Sequence, residues 1–276
     1  LSTPECASLR RAAALAFAIG AAAMPASADK PLWEFGLGAG TLRLPHYRGS
    51  DQNHTWVLPT PYFVYRGEVF RADRDGARAV LVDAERFDFD ISLAATAPTR
   101  SEDNTARAGM PDLAPTFEIG PNANFTLARG IGWKLQARLP VRAAFTLESD
   151  PKSIGWIATP NVNVDFWVSG WNVGVLAGPV LATRRFHGYF YDVPEAYVTA
   201  TRPSYRAGGG ASGWRLVSGA SRRIGSWWLG GFVYGDSVRG ARFEPSPLVR
   251  RGESVAFGIA ASYIFAASSQ RVRSDD

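Results

Sequence analysis

The chain has 276 residues, 12% of them aromatic, with 28 glycines, 18 prolines, nine tryptophans and a net charge of +5. After residue 30 no run stays apolar for the roughly 18 residues a membrane helix requires, and the arginines are scattered rather than gathered in a stripe. This composition excludes a helical membrane protein and argues against nucleic-acid binding. If such a chain enters a bilayer it does so as a closed barrel, the other fold that satisfies its own backbone hydrogen bonds in lipid.

In chain order, Arg10-Arg11, the apolar stretch Ala12 to Ala23 and Pro25-Ala-Ser-Ala28 read as the charged, apolar and cleavage-site parts of a signal peptide over residues 1–28. The one cysteine, Cys6, lies inside it, so the mature chain is expected to have no thiol chemistry.

From there, alternation at period two sets the elements. Strands are expected at 32–43, 55–65, 68–73, 77–83, 85–96, 115–128, 132–147, 155–168, 171–183, 205–222, 226–236 and 253–265. Phe87, Phe89, Ile91 and Leu93 oppose Arg86, Asp88, Asp90 and Ser92; Trp133, Leu135, Ala137, Leu139 and Val141 oppose Lys134, Gln136, Arg138 and Arg142. The last strand sets Val255, Phe257, Ile259, Tyr263 and Phe265 against small residues. Several runs exceed the five or six residues typical of soluble strands and reach the roughly ten that a tilted strand needs to cross a bilayer. Trp33, Trp56, Trp133, Trp156, Trp171, Trp214 and Trp228 fall near strand ends, where aromatic girdles meet headgroups. Pro59, Pro61, Pro121, Pro140, Pro160 and Pro179 fall inside strands, where bulges or breaks are expected.

Short turns alternate with long polar connections if Arg74-Asp-Gly76 is a further tight turn on the external, long-loop side. Outer-membrane barrels place the short turns in the periplasm and the long loops outside. The expected fold is therefore all-β: a single antiparallel transmembrane β-barrel over residues 29–265, with about 12 strands (10 as the alternative, because the pair at 68–83 is short). A polar periplasmic tail, 266–276, follows. The expected location is the outer membrane, against lipid and lipopolysaccharide.

The inward phase carries both signs of charge: Lys134, Arg138 and Arg142 with Asp88, Asp90, Glu118 and Asp165. These pair and fill the interior, the favoured reading, or line a narrow aqueous path. On the short-turn side, Arg66, Arg129, Arg222 and Arg223 form a cationic rim, suited to an acidic partner protein or to inner-leaflet phosphates. His46 and His54 flank the first long loop with Ser50 and Asp51 between them, but no nucleophile-elbow pattern surrounds Ser50 and the spacing matches no zinc site. No catalytic, cofactor or metal set is read.

Several local motifs go further than a generic barrel. His46-Tyr-Arg-Gly-Ser-Asp51, Pro61-Tyr-Phe-Val-Tyr-Arg-Gly67, Arg71-Ala-Asp-Arg-Asp-Gly76, Asp112-Leu-Ala-Pro-Thr-Phe-Glu-Ile-Gly-Pro121, Tyr189-Phe-Tyr-Asp-Val-Pro194 and Ser246-Pro-Leu-Val-Arg-Arg251 resemble, in order, the MipA/OmpV family of MltA-interacting proteins. The resemblance implies an outer-membrane barrel. For the founding member it implies a non-enzymatic scaffold that brings a lytic transglycosylase together with a bifunctional peptidoglycan synthase; a small-solute pore or a surface adhesin is the alternative. Barrels of this kind usually end on an aromatic residue read by the assembly machinery. Here Tyr263 and Phe265 would carry that signal, although the chain runs on past Phe265.

Overall fold

The computed structural model describes residues 29–67, 69–73 and 76–272. The expected signal peptide and the last four residues lie outside them. The strands are β1 (Lys30–Pro31), β2 (Trp33–Pro45), β3 (Asn53–Arg66), β4 (Phe70–Asp73), β5 (Gly76–Asp83), β6 (Phe87–Thr96), β7 (Thr116–Gly130) and β8 (Trp133–Thr146). After them come β9 (Ser153–Ala158), β10 (Asn161–Val168), β11 (Trp171–Ala182), β12 (Gly210–Ile224), β13 (Trp227–Ser237), β14 (Glu253–Ala267) and β15 (Arg271–Val272). Strands β2 to β14 form one antiparallel sheet that closes on itself. The last strand, β14, pairs with the first, β2, and β8 reaches β11 through β9 on the long-loop side and β10 on the other. Because β9 and β10 share one place in the wall, split at Thr159-Pro160, the barrel has twelve wall positions.

Alternation decides which face each residue takes. On β14, Val255, Phe257, Ile259, Tyr263 and Phe265 are exposed on the outside, whereas Ala256, Ser262 and Ile264 are buried inside. Lipid replaces water around such a band, so this exposure carries no penalty. The inner face of β2 is glycine at 36, 38 and 40, and the neighbours use the space. In the row Thr60, Gly38, Ser262, the hydroxyls of Thr60 and Ser262 meet over the glycine at 3.4 Å, and a Cβ at Gly38 would lie 2.5 Å from Ser262 Oγ. At the hairpin Ser169-Gly170 both residues have positive φ, 51° and 78°, as a two-residue turn matched to the sheet twist requires.

The prolines divide. Pro160 breaks its strand, and the β11–β12 register shifts between Pro179 and Leu181. The expected bulges at Pro59 and Pro61 do not occur: β3 pairs with β2 without a shift from Asn53 to Tyr65. On its other side β3 meets β4 only at Tyr65 and Arg66, so among the described residues its edge from 53 to 63 has no strand partner. Proline nitrogens aimed at that edge remove no ladder bond.

The aromatic belts also need two corrections. Trp33, Trp133 and Trp171 are exposed at the short-turn end and Trp156 and Trp214 at the long-loop end, as expected. Trp227, not Trp228, completes the short-turn belt, since Trp228 pairs with inward-facing Ser262 and packs 5.6 Å from Tyr62 inside the barrel. Trp56 is also taken inward, its ring 4.3 Å from that of His54.

The long connections are not loose. A helix, α1 (Arg184–Tyr191), stands where only loop was expected, and residues 205–209, expected in a strand, belong to the same cap, with Tyr205 bridged to Val193. Tyr47, Met110, Leu113, Tyr191, Val193, Val238, Phe243 and Leu248 form one buried cluster drawn from four connections. It is a small hydrophobic core at the long-loop end of the barrel. At the other end, the expected free tail is partly structured: β14 continues to Ala267, and β15 pairs with β1.

Candidate functional site

The barrel interior and its two mouths hold the charged residues. At the short-turn mouth, β2 turns Glu34 inward, where Arg66 Nη2 donates to its Oε2 at 3.1 Å and Arg223 Nη1 donates to its Oε1. Tyr62 Oη adds a longer contact at 3.4 Å, and Arg66 also donates to the Pro31 carbonyl at 2.9 Å. Two cations converge on one carboxylate that is 1% exposed. At the long-loop mouth the arrangement recurs: Asp236 is met by Arg215 Nη2 at 2.8 Å and Arg48 Nη2 at 3.0 Å, and it is 2% exposed. Two guanidinium partners offset the cost of burying a carboxylate away from water.

Between the mouths the wall residues named from sequence are brought together in pairs. Arg142 Nε donates to Glu118 Oε2 at 2.9 Å, and Arg138 Nη2 lies 3.5 Å from Asp165 Oδ2. Asp90 accepts from the amides of Asn124 at 2.8 Å and Asn122 at 3.2 Å. Lys134 faces Asp165 in register across β8 and β10, and Asp88 stands opposite Asp83 and Asn124.

The four rim arginines share the short-turn end but not one task. Arg66 and Arg223 are turned onto Glu34. Arg129 makes an exposed pair with Glu85 at 2.8 Å, and Arg222 lies 5.8 Å over the Trp171 ring. Glu34, Arg48, Arg215 and Asp236 were missed as a set. Each sits in the inward phase of a strand or beside a strand end, so alternation could have found Glu34, Arg215 and Asp236; their convergence across the barrel carries no sequence signal.

The cap is held by buried polar groups with no periodic pattern. Arg107, 3% exposed, donates to the carbonyls of Phe190 at 3.1 Å and Pro111 at 3.0 Å. Arg202 gathers the carbonyls of Ala106, Ala108 and Tyr197 at 2.9 to 3.0 Å. Tyr47 Oη donates to the Leu248 carbonyl at 2.8 Å, and burial raises its pKa to about 12. His187 is wedged between the Gly208 carbonyl, 2.5 Å from Nδ1, and Ser212 Oγ, 2.6 Å from Nε2. A carbonyl only accepts, so Nδ1 carries the proton and Nε2 accepts from Ser212; burial lowers the pKa of this ring. Asn104 Nδ2 donates to both His46 Nδ1 and Ser50 Oγ at 3.1 Å, while Ser50 gives its own proton to the Gln52 carbonyl. His46 and Ser50 thus share a partner rather than each other, and Asp51 joins neither. Among the described residues no three His, Cys, Asp or Glu side chains gather where a metal could sit.

A closed antiparallel barrel with an apolar outer band, aromatic belts and a polar interior defines a membrane-spanning β-barrel of the outer-membrane class. The family model described as MltA-interacting protein MipA matches residues 37–265, and the chain belongs to that family, in the outer membrane. A search of curated proteins returned no match. Among solved structures it is similar to outer membrane phospholipase A from Escherichia coli (13% identity over 84% of this chain and 93% of that one, TM-score 0.35). It is also similar to an outer membrane channel from Pseudomonas putida F1 (10%, 84% and 96%, TM-score 0.38) and to OmpT of Vibrio cholerae (11%, 86% and 99%, TM-score 0.28). At that distance none of them speaks to activity.

Proposed function

We propose that the protein is a non-enzymatic scaffold of the outer membrane that docks cell-wall machinery at its periplasmic, short-turn face: a lytic transglycosylase, and with it a bifunctional peptidoglycan synthase. The observation that carries this reading is the burial of carboxylates at both mouths, Glu34 at 1% and Asp236 at 2% exposed. A water-filled pore leaves its lining charges wet, so a barrel with dry carboxylates at each end is better suited to holding a surface than to passing solute. The family's description as MltA-interacting supports the choice of partner. In this reading residues 1–28 are the leader, 29–265 the barrel and 266–276 the periplasmic tail. The outward band and belts contact outer-membrane lipid and lipopolysaccharide.

Because Arg66 and Arg223 are engaged by Glu34, the docking rim reduces to Arg129 and Arg222, whose side chains lie against Glu85 and the Trp171 ring. The test is recovery of murein hydrolase and synthase from periplasmic extract on detergent-solubilised protein, with Arg129→Glu and Arg222→Glu together as the variant. Retention by the native barrel and loss on charge reversal are expected. Equal recovery on both moves the docking surface elsewhere, and no recovery on either removes the scaffold reading.

A further inference from the structure

A cavity of about 570 Å³ at the long-loop end, within the size range of small-molecule sites, has an unbalanced lining. One wall is the top of β3, with the rings of His54 and Trp56 4.3 Å apart. The opposite wall comes from the connections after β6 and β8 and carries three carboxylates, Asp103, Asp112 and Glu148. Local hydrogen bonds hold these walls in place. Thr99 Oγ1 donates to the His46 carbonyl at 2.7 Å, Gln52 Nε2 donates to the Asp103 carbonyl at 3.3 Å, and the Ser101 amide donates to Asp112 Oδ1 at 2.7 Å. None of the three carboxylates has an ion-pair partner among the described residues. The one arginine of the lining, Arg100, lies 3.7 Å from Glu102.

Strand β3 adds acceptors of its own. The Arg66 amide is turned to the Leu32 carbonyl, so by alternation Thr55, Val57, Pro59 and Pro61 turn their backbone groups the other way, to the edge that no described strand covers. All four bring carbonyls to that edge, but only Thr55 and Val57 bring N–H groups, since proline has none. Carboxylates and carbonyls accept hydrogen bonds, so cavity and edge together are short of donors.

We infer that this cavity binds a linear aliphatic polyamine, with its ammonium groups on Asp103, Asp112 and Glu148 and its methylenes against Trp56 and Leu113. The inference is independent of the docking role at the opposite face. Three observations choose the ligand class. First, a primary ammonium group has three donors and no acceptor, the complement of an acceptor-rich lining, whereas a phosphate would be repelled by the carboxylates. Second, the carboxylates do not converge: among the described residues no three acidic or histidine side chains gather where one metal ion could sit. The cations that answer them must therefore be set apart along one molecule. Third, Trp56, Leu113, Pro98 and Pro115 share the lining, which suits the methylenes between the charges, and an indole face attracts a cation placed over it.

The test is isothermal titration calorimetry on the barrel refolded into a neutral detergent, where no lipopolysaccharide phosphate competes for the polyamine. Spermidine should bind at one site per barrel, and propylamine or magnesium chloride at matched ionic strength should bind at least about tenfold more weakly. Asp103→Asn combined with Glu148→Gln should weaken spermidine by about tenfold. Asp150→Asn, which removes an exposed carboxylate of the same connection outside the lining, should bind as the native protein does. Heat-modifiable mobility on gels checks that each variant is folded. Absence of spermidine binding, equal affinity for magnesium, or unchanged affinity in the double variant overturns the inference. An equal loss in Asp150→Asn means attraction to the general charge of the loops and overturns it as well.

Discussion

The rings of Tyr191 and Phe243 lie parallel, 6° apart in tilt and 3.7 Å between centroids, and join the end of α1 to the connection before β14. Each ring is nearly fully buried, and Tyr191 Oη donates to the Arg48 carbonyl at 2.9 Å, so one contact ties three connections together. Phe243→Ala should cost the cap about 3–5 kcal/mol, the usual penalty for emptying an aromatic site in a packed core. Limited proteolysis should then cut the connections at 184–204 and 237–252 while the barrel keeps its heat-modifiable mobility on gels. Unchanged protease resistance would mean that the cap does not rest on this stack.

Acid should loosen the same cap. His46 and His187 both sit below the ordinary histidine value of 6.5, mainly through burial; the neighbouring His54 lowers His46 further and Arg48 lowers His187, while Asp103 and Asp51 partly offset the shift at His46. In the folded cap these rings resist protonation more than in an opened one, so the open form binds more protons as pH falls. Their contribution is complete above about pH 6.5 and drains away as pH drops through the lower folded values. Hydrogen exchange over residues 46–52 and 184–191, corrected for its intrinsic pH dependence, should be faster at about pH 5 than at about pH 7.5. His46→Gln should flatten the response in the first segment alone.

Much of the barrel was legible because lipid and lumen impose opposite chemistry on alternate residues, as Val255 to Phe265 and Phe87 to Leu93 illustrate. The twelve-strand arrangement followed, including the short pair at 70–83 that had made ten an alternative. What escaped was non-periodic or needed a third dimension. Helix α1 carried a signal, with Phe186 and Phe190, and His187 and Tyr191, four apart behind Thr183, but eight residues inside a long polar connection were too few to outweigh it. Pro59 and Pro61 looked disruptive because the missing strand beside them is invisible in the sequence. Arg66 and Arg223 looked free because Glu34, their shared partner, is 32 and 189 residues away.

That shared partner makes a prediction about conduction. Glu34 is buried between Arg66 and Arg223 at the short-turn mouth, and if this ion triad closes that mouth, planar-bilayer recordings of the native protein should show little steady current. Glu34→Ala leaves Arg66 and Arg223 facing each other without a counter-charge, a loss of about 3–5 kcal/mol for breaking a buried pair. The mouth should then open or fluctuate, giving an anion-preferring leak lined by the two guanidinium groups. A steady current of the same size in the native protein would restore the pore as the better reading of the interior.

Phe265 tests whether the last strand is read during assembly. Its ring lies 6.3 Å from that of Phe35 on β2, and Phe35 lies 5.5 Å from Phe63 on β3, so the row runs across the seam where the last strand closes on the first. Tyr263 stands one outward position earlier, its ring 5.3 Å from Trp227. Such ring contacts add about 0.5–1.5 kcal/mol each, so as packing groups alone Phe265 and Phe63 should matter about equally, one contact each with Phe35. If Phe265 is also the assembly signal, Phe265→Ala should sharply reduce the folded, heat-modifiable form in outer-membrane fractions, whereas Phe63→Ala should leave it near the native level. Refolding both variants from urea into detergent separates the two roles. The purified variants should refold to similar extents and lose similar, small amounts of stability, because no assembly machinery is present to read the strand. Equal losses in cells would reduce Phe265 to one packed ring among several and leave Tyr263, the other aromatic near the end of β14, to be tried.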